Sequence, residues 1–210
     1  MSNNIAGIGL LVFSAVGSAQ AQTYSIGTVA GTDRLRDNGP ATSSLLRRPA
    51  AVAADGAGNV YISDLDDARV RAVNPSGIIS TYAGDGFTFF HGDGGPAAHA
   101  AIGGVTAIAF DAAGNLFLAD YYNSRVRKVS PSGAITTVAG NGDFFYVGDG
   151  VTATSAPMDP YSVAVDASGN VYIADLFNVR IRKVAPNGII STFAGTGTTP
   201  SKKLLNTAAE

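Results

Sequence analysis

The chain of 210 residues has no cysteine and no tryptophan, two methionines, two histidines, and one glutamate, Glu210, at its last position. Without cysteine there is neither a disulfide frame nor a thiolate metal site. The two histidines, His91 and His99, fall in one short stretch. A zinc site usually needs three or four protein ligands, so they are read as solvated loop side chains, and no metal or cofactor is expected. Charge is also scarce: 14% of residues are charged and the net charge is −2, which argues against a nucleic-acid surface. The apolar run from Ile5 to Val16 is too short for a stable membrane span, for which about 20 apolar residues are needed.

That run is instead followed by Ala19-Gln20-Ala21, which fits a secretory signal cleaved after Ala21. The segment before it, Met1-Ser2-Asn3-Asn4, carries no lysine or arginine, a departure from the usual signal pattern. Export to the medium, the periplasm or the cell surface is the expected fate of the chain.

What is abundant is repetition. The block Ala53-Ala54-Asp55-Gly56-Ala57-Gly58-Asn59-Val60-Tyr61-Ile62-Ser63-Asp64 returns at Ala109–Asp120 and again at Ala164–Asp175, with a period of 56 and then 55 residues. Units of this length cannot bury an apolar face alone and must stack on one another. In the third copy four short alternating runs, Ser162–Val165, Val171–Ala174, Arg180–Val184 and Ile189–Phe193, read as strands. Turn residues separate them: Asp166 to Asn170 with Gly169, and Pro186-Asn187-Gly188. Four antiparallel strands per block, repeated radially, predict an all-β fold built of β-propeller blades.

The residues Val163-Ala164-Val165-Asp166, Gly169-Asn170-Val171-Tyr172-Ile173-Ala174-Asp175 and Asn178-Val179-Arg180-Ile181-Arg182-Lys183-Val184 resemble the NHL-repeat family of β-propellers. Thr137-Val138-Ala139-Gly140 followed by Gly148-Asp149-Gly150 is similar to the long-blade bacterial and teneurin-like branch of that family. The resemblance spans roughly residues 24–197. It implies a binding or scaffold role. RNA-binding members are expected to display a strongly basic face, which this chain lacks. Propeller lyases of similar fold use histidines converging on a central channel, often around a metal, and two linker histidines match that poorly.

The copies make an arc. Tyr24-Ser25-Ile26-Gly27-Thr28-Val29-Ala30-Gly31 matches only the last strand of a block, Ala134–Gly140. The chain therefore divides into a leader (1–21), an outer strand and linker (22–48), blades at 49–103, 104–158 and 159–197, and a tail (198–210). A closed ring takes about four to eight blades, so three blades and one extra outer strand leave it incomplete. Open blade edges invite self-association, as in two arcs closing one ring. A fragment of a longer product is preferred over that half-ring, because the pattern stops after Gly197.

Three side-chain groups are candidates for function. Asp64, Asp120 and Asp175 end the second strand and Arg69, Arg125 and Arg180 follow five residues later, a spacing that suits structural ion pairs. A second arginine set, Arg71, Arg127 and Arg182, shares their strand face, with stems expected between blades and tips at an edge. Asp37-Asn38-Gly39, Asp93-Gly94-Gly95 and Asp149-Gly150-Val151 precede Pro40-Ala41, Pro96-Ala97 and Thr152-Ala153. They suggest a calcium loop, but too few oxygens are present, and capping of a helical turn in the linker is preferred.

The aromatics are the third group. Phe87, Phe89 and Phe90 lie in one linker and Phe144, Phe145 and Tyr146 in the next. The loops after the second strand add Tyr121, Tyr122, Leu176 and Phe177, whereas the first blade has Asp66 and Asp67 there. Linkers and those loops open on one face of a propeller. Tyr121, Tyr122, Phe144, Phe145, Tyr146, Phe177, Phe89 and Phe90 are therefore the candidate anchors for a protein or carbohydrate ligand. The expected function is non-catalytic binding or scaffolding by an exported propeller. A peptide lyase and a purely structural half-ring are the alternatives.

Overall fold

A computed structural model describes residues 37–197. The leader, the outer strand read at 24–31 and the tail lie outside the described residues. Each block folds into its own antiparallel sheet. The first comprises β2 (Pro49–Ala54), β3 (Val60–Asp64), β4 (Arg69–Val73) and β5 (Ile78–Ala83), with the two-residue β1 (Gly39–Pro40) on the outer edge of β5. The second contains β6 (Val105–Phe110), β7 (Leu116–Asp120), β8 (Arg125–Val129) and β9 (Ile135–Ala139). The third contains β10 (Pro160–Val165), β11 (Val171–Asp175), β12 (Arg180–Val184) and β13 (Ile190–Ala194). The inner strands β2, β6 and β10 are neighbours in space and carry most of the contact between sheets. The described residues form an all-β, incomplete propeller of three four-stranded blades.

Local chemistry explains the hairpins. At the β10–β11 turn Asp166 accepts hydrogen bonds from the Ser168 and Asn170 amides at 2.9 Å each and from the Asn170 side chain at 2.7 Å. Asp55 and Asp111 make the same turn in the other blades, so one Asp–Asn pair sets the register three times. Gly169 holds φ +79 there, a conformation that a side chain would oppose.

The two faces of a blade differ. The trailing face presents small, aromatic and a few aliphatic residues, in blade two Ala107, Ala109, Phe117, Ala119 and Val126. The leading face of the next blade presents Val163, Val171, Ile173, Val184 and Ile190, which fill it. The first interface repeats this with Tyr61, Val70 and Ala83 against Ile108, Leu116, Leu118 and Val129. The aliphatic side chains of one blade thus pack against alanines, an aromatic ring and a valine of the blade before it.

The linkers fasten this stack. Single turns of 3-10 helix occur at Ala41–Ser43, Ala97–His99 and Ala153–Ser155, where a helical turn was expected. Pro40, Pro96 and Thr152 stand just before each turn, one residue earlier than a first helical position. Gly84 donates to the Ala97 carbonyl at 2.9 Å, and Ala97 donates to the Gly133 carbonyl at 2.8 Å. The linker between blades one and two is therefore bonded to both, although its sequence block assigns it to the first.

The carboxylates of the linkers do not cap those turns, contrary to expectation. They hold the second arginine set, which is wholly buried. Arg71 donates to Asp37 at 2.7 Å, Arg127 to Asp93 at 2.6 Å and Arg182 to Asp149 at 3.1 Å. The same carboxylates accept from strand four: Thr81 Oγ1 bonds Asp37, the Thr137 amide bonds Asp93, and Thr192 Oγ1 bonds Asp149. A second carboxylate lies 3.5 Å from Arg127 and from Arg182, contributed by Asp120 and Asp175.

This corrects the expected pairs Asp64–Arg69, Asp120–Arg125 and Asp175–Arg180. These residues do face each other across the strands. Arg125, however, donates to the carbonyls of Asn123 and Asn141, Arg180 to those of Asn178 and Thr196, and Arg69 to Asp67 and the Asp85 carbonyl. The aspartates turn inward to satisfy buried amides, and the outer arginines reach the linker backbone instead.

Removing one partner of a buried ion pair leaves an uncompensated charge, so Asp93→Ala is expected to lower stability by about 3 kcal/mol. Urea unfolding of both proteins measures it. A change no larger than that of an exposed loop substitution would show that Arg127 does not need its linker partner.

Candidate binding face

The turn after the second strand of each blade is built on its buried aspartate. Asp64 accepts from the amides of Arg47 and Arg48, Asp120 from Gly103, and Asp175 from Asp159, at 2.6–3.1 Å. Asn123 and Asn178 add side-chain bonds to Asp120 and Asp175. Each turn ends on a left-handed residue, Ala68, Ser124 or Val179. The linker starts at Gly84 or Gly140 and passes so close to that residue that a Cβ would strike the Ala68 or Ser124 carbonyl. Glycine is required there by space as well as by its positive φ.

The turn and the linker are thereby locked together at one end of the blades. Asn178 donates to the Phe144 carbonyl at 2.9 Å and accepts from the Tyr146 amide at 3.1 Å. Tyr122 donates its amide to the Gly103 carbonyl, and its ring lies over Gly104, where an added Cβ would sit 2.5 Å from the ring edge.

Two aromatic clusters result. Phe144, Phe145 and Phe177 have ring centroids 4.3–6.0 Å apart, and all three are exposed. Tyr121 contacts Tyr122 at 5.7 Å and Tyr161 at 6.0 Å. The structure thus joins linker and turn aromatics on one end, as expected. Toward blade one the end becomes polar: Arg48 bonds the Tyr122 hydroxyl at 3.2 Å and pairs with Asp66 at 3.0 Å.

Two expected anchors have other partners. The Phe90 ring lies 3.8 Å from the Arg125 guanidinium and 4.7 Å from that of Arg127, and Tyr146 sits 4.0 and 4.8 Å from Arg180 and Arg182. Each ring thus covers one outer and one buried arginine. Phe89 is highly exposed, and the ring contacts seen here do not include it in either cluster. Tyr161 was missed. It follows the first proline of its blade where the other copies have Ala50 and Thr106, and comparing that column would have found it.

The histidines do not approach the inner strands. His91 is exposed and 3.1 Å from Asp85, and His99 ends a linker turn on the outer rim. Burial raises the Asp159 carboxyl, and the Asp159 charge raises the Tyr121 phenol. The end therefore presents rings and fixed amides.

No family model matches the chain. Human teneurin-4 is 36% identical over 105 aligned residues, covering 43% of this chain and 4% of that protein. A nidogen/laminin complex structure aligns with a TM-score of 0.50 at 18% identity, covering 71% of this chain and 49% of that one. An auxiliary nutrient binding protein from Bacteroides thetaiotaomicron aligns with a TM-score of 0.50 at 17% identity, covering 69% of this chain and 35% of that one. These likenesses agree on a β-propeller, and the chain spans a small part of the curated relatives it matches.

Burial pushes the Asp120 carboxyl up to about 6, against the pull of Gly103, Asn123 and Arg127. Its folded pKa thus exceeds its unfolded value, and the folded state loses stability as pH rises between about 4 and 6. Asp120→Asn lacks this loss. Its unfolding free energy relative to wild type should rise by up to about 3 kcal/mol across that window. A pH-independent difference in calorimetry would contradict the assignment.

Proposed function

We propose that the chain is an exported, NHL-type propeller module that binds a protein or glycan through the aromatic end of its blades and performs no catalysis. The observation that carries this is the Phe144–Phe145–Phe177 cluster. Three rings touch one another, remain open to solvent, and rest on a backbone fixed by Asn178 and Asp175. Rigid apolar anchors of this kind lose little conformational entropy on binding. Leu176, next to Phe177 in the chain, is also exposed, and this further apolar side chain favours a protein surface over a sugar at that end. Around Tyr121, Tyr122 and Tyr161, hydroxyls with Arg48 and Asp66 supply polar contacts, so the two ends of the face differ in what they select.

The signal-like leader supports export, and among the described residues no helix is long and apolar enough to cross a membrane. The motif set supports the NHL assignment, and the teneurin likeness supports a propeller. The rim position of His91 and His99 supports the non-catalytic reading over a lyase.

The test is a screen of the secreted chain against displayed extracellular proteins and a glycan array, repeated with Phe145→Ala, Phe177→Ala and Tyr122→Ala. Binding to a protein ligand should weaken about tenfold or more with either phenylalanine variant. If every ligand found is indifferent to all three substitutions, the aromatic end is not the binding surface.

A further inference from the structure

The seam between blades two and three carries a carboxylate without a counter-ion, beside exposed rings. Asp159 stands just before β10 and is half-buried. The Phe177 amide donates to its Oδ2 at 3.2 Å, and among the described residues Oδ1 has no partner. Burial, with a contribution from Asp175, raises the carboxyl against the pull of that amide, and no arginine or lysine of the described residues pairs with it. At the same end of blade one the carboxylates are paired, Asp66 with Arg48 and Asp67 with Arg69. The position of Asp159 is Arg48 in blade one and Gly104 in blade two, so the blade itself does not require an acid there.

Tyrosines stand around that charge. Tyr121 of blade two is near enough for the Asp159 charge to raise its phenol. Tyr161 follows Asp159 by two residues, is exposed, and crosses Tyr121 at 90° with ring centroids 6.0 Å apart. Tyr122 extends the group, 5.7 Å from Tyr121. The interior of the same chain shows what a carboxylate and a ring hold together. Arg127 bonds Asp93 and meets the Phe90 ring, and Arg182 bonds Asp149 and meets the Tyr146 ring. A planar guanidinium suits both demands, because it donates to the acid while a ring faces it within about 6 Å.

We infer that the seam between blades two and three seats an arginine side chain of a protein partner, its guanidinium on Asp159 and against the tyrosine rings. The inference rests on reading this end as a binding face, and it narrows the partner to one with an exposed arginine. Blades two and three both lie within the described residues, so every group of the seat is accounted for. Charge complementarity chooses the occupant. A half-buried acid with only acids and phenols near it attracts a cation, and a neutral side chain would leave it uncompensated.

The test is a titration of the full, isotope-labelled chain with N-acetylarginine amide and, in parallel, with N-acetylcitrulline amide, its uncharged isostere. The arginine probe should shift the Phe177 amide, which bonds Asp159, and alter the tyrosine emission, which no tryptophan masks. The citrulline probe should bind about tenfold more weakly or worse. Asp159→Asn keeps an acceptor for the Phe177 amide and removes the charge, so the fold stays and the arginine probe should lose about tenfold or more. Tyr121→Leu, which gives blade two the leucine that the other blades have at Leu65 and Leu176, should weaken the probe in the same direction. An unmoved Phe177 amide, an equal response to citrulline, or undiminished binding to Asp159→Asn overturns the inference. Phe145 lies outside this seat. A protein ligand that depends on Phe145, found together with a failed arginine titration, would leave the binding face standing and remove the seat alone.

Discussion

Three buried arginines hold this molecule in shape. Arg71, Arg127 and Arg182 lie on the third strand of each blade, each gripped by an aspartate that arrives from the linker entering that blade. A desolvated guanidinium is tolerable only when several acceptors meet it. The fold supplies the linker aspartate, a second carboxylate at Arg127 and Arg182, and an aromatic lid from Phe90 or Tyr146. Because the linker also bonds the preceding blade, satisfying the arginine fixes the spacing of neighbouring sheets.

The outward surface follows from this inward demand. Once the linker is pinned at Asp93 or Asp149, its upstream aromatics must emerge beside the turn that follows the second strand. The buried aspartates of that turn organise it from below, through Gly103 and Asn123 in one blade and Asp159 and Asn178 in the next. The exposed rings therefore stand on a hydrogen-bonded platform. What projects changes in chemistry from copy to copy: acidic and basic side chains at blade one, tyrosines at blade two, phenylalanines at blade three.

Much of the fold was legible because it is local. Periodicity located β11, β12 and β13 to within a residue, and the Asp166–Asn170 turn chemistry is contained in five consecutive residues. Pairing over longer separations was not legible. Asp120 and Arg125 are cross-strand neighbours and suggested a bond, yet Asp120 is drawn to the Gly103 amide and Arg127, which only the folded linker brings close. Phe90 and Tyr146 looked like anchors for the same reason: a sequence shows that a ring is in a linker, not that two guanidinium groups lie beneath it. The aromatic end was foreseen in place and partly in membership, with Tyr161 the omission.

The most direct test is native-state hydrogen exchange on the Arg127→Met chain, in which the cation is replaced by an apolar side chain of similar length. If the arginine organises the linker, the amides of Gly94 and Ala97, which bond Ile135 and Gly133, should lose protection while those of β7 keep theirs. Unchanged protection at Gly94 and Ala97 would mean that the linker holds its course without the buried charge, and the account of how the blades are fastened would be wrong.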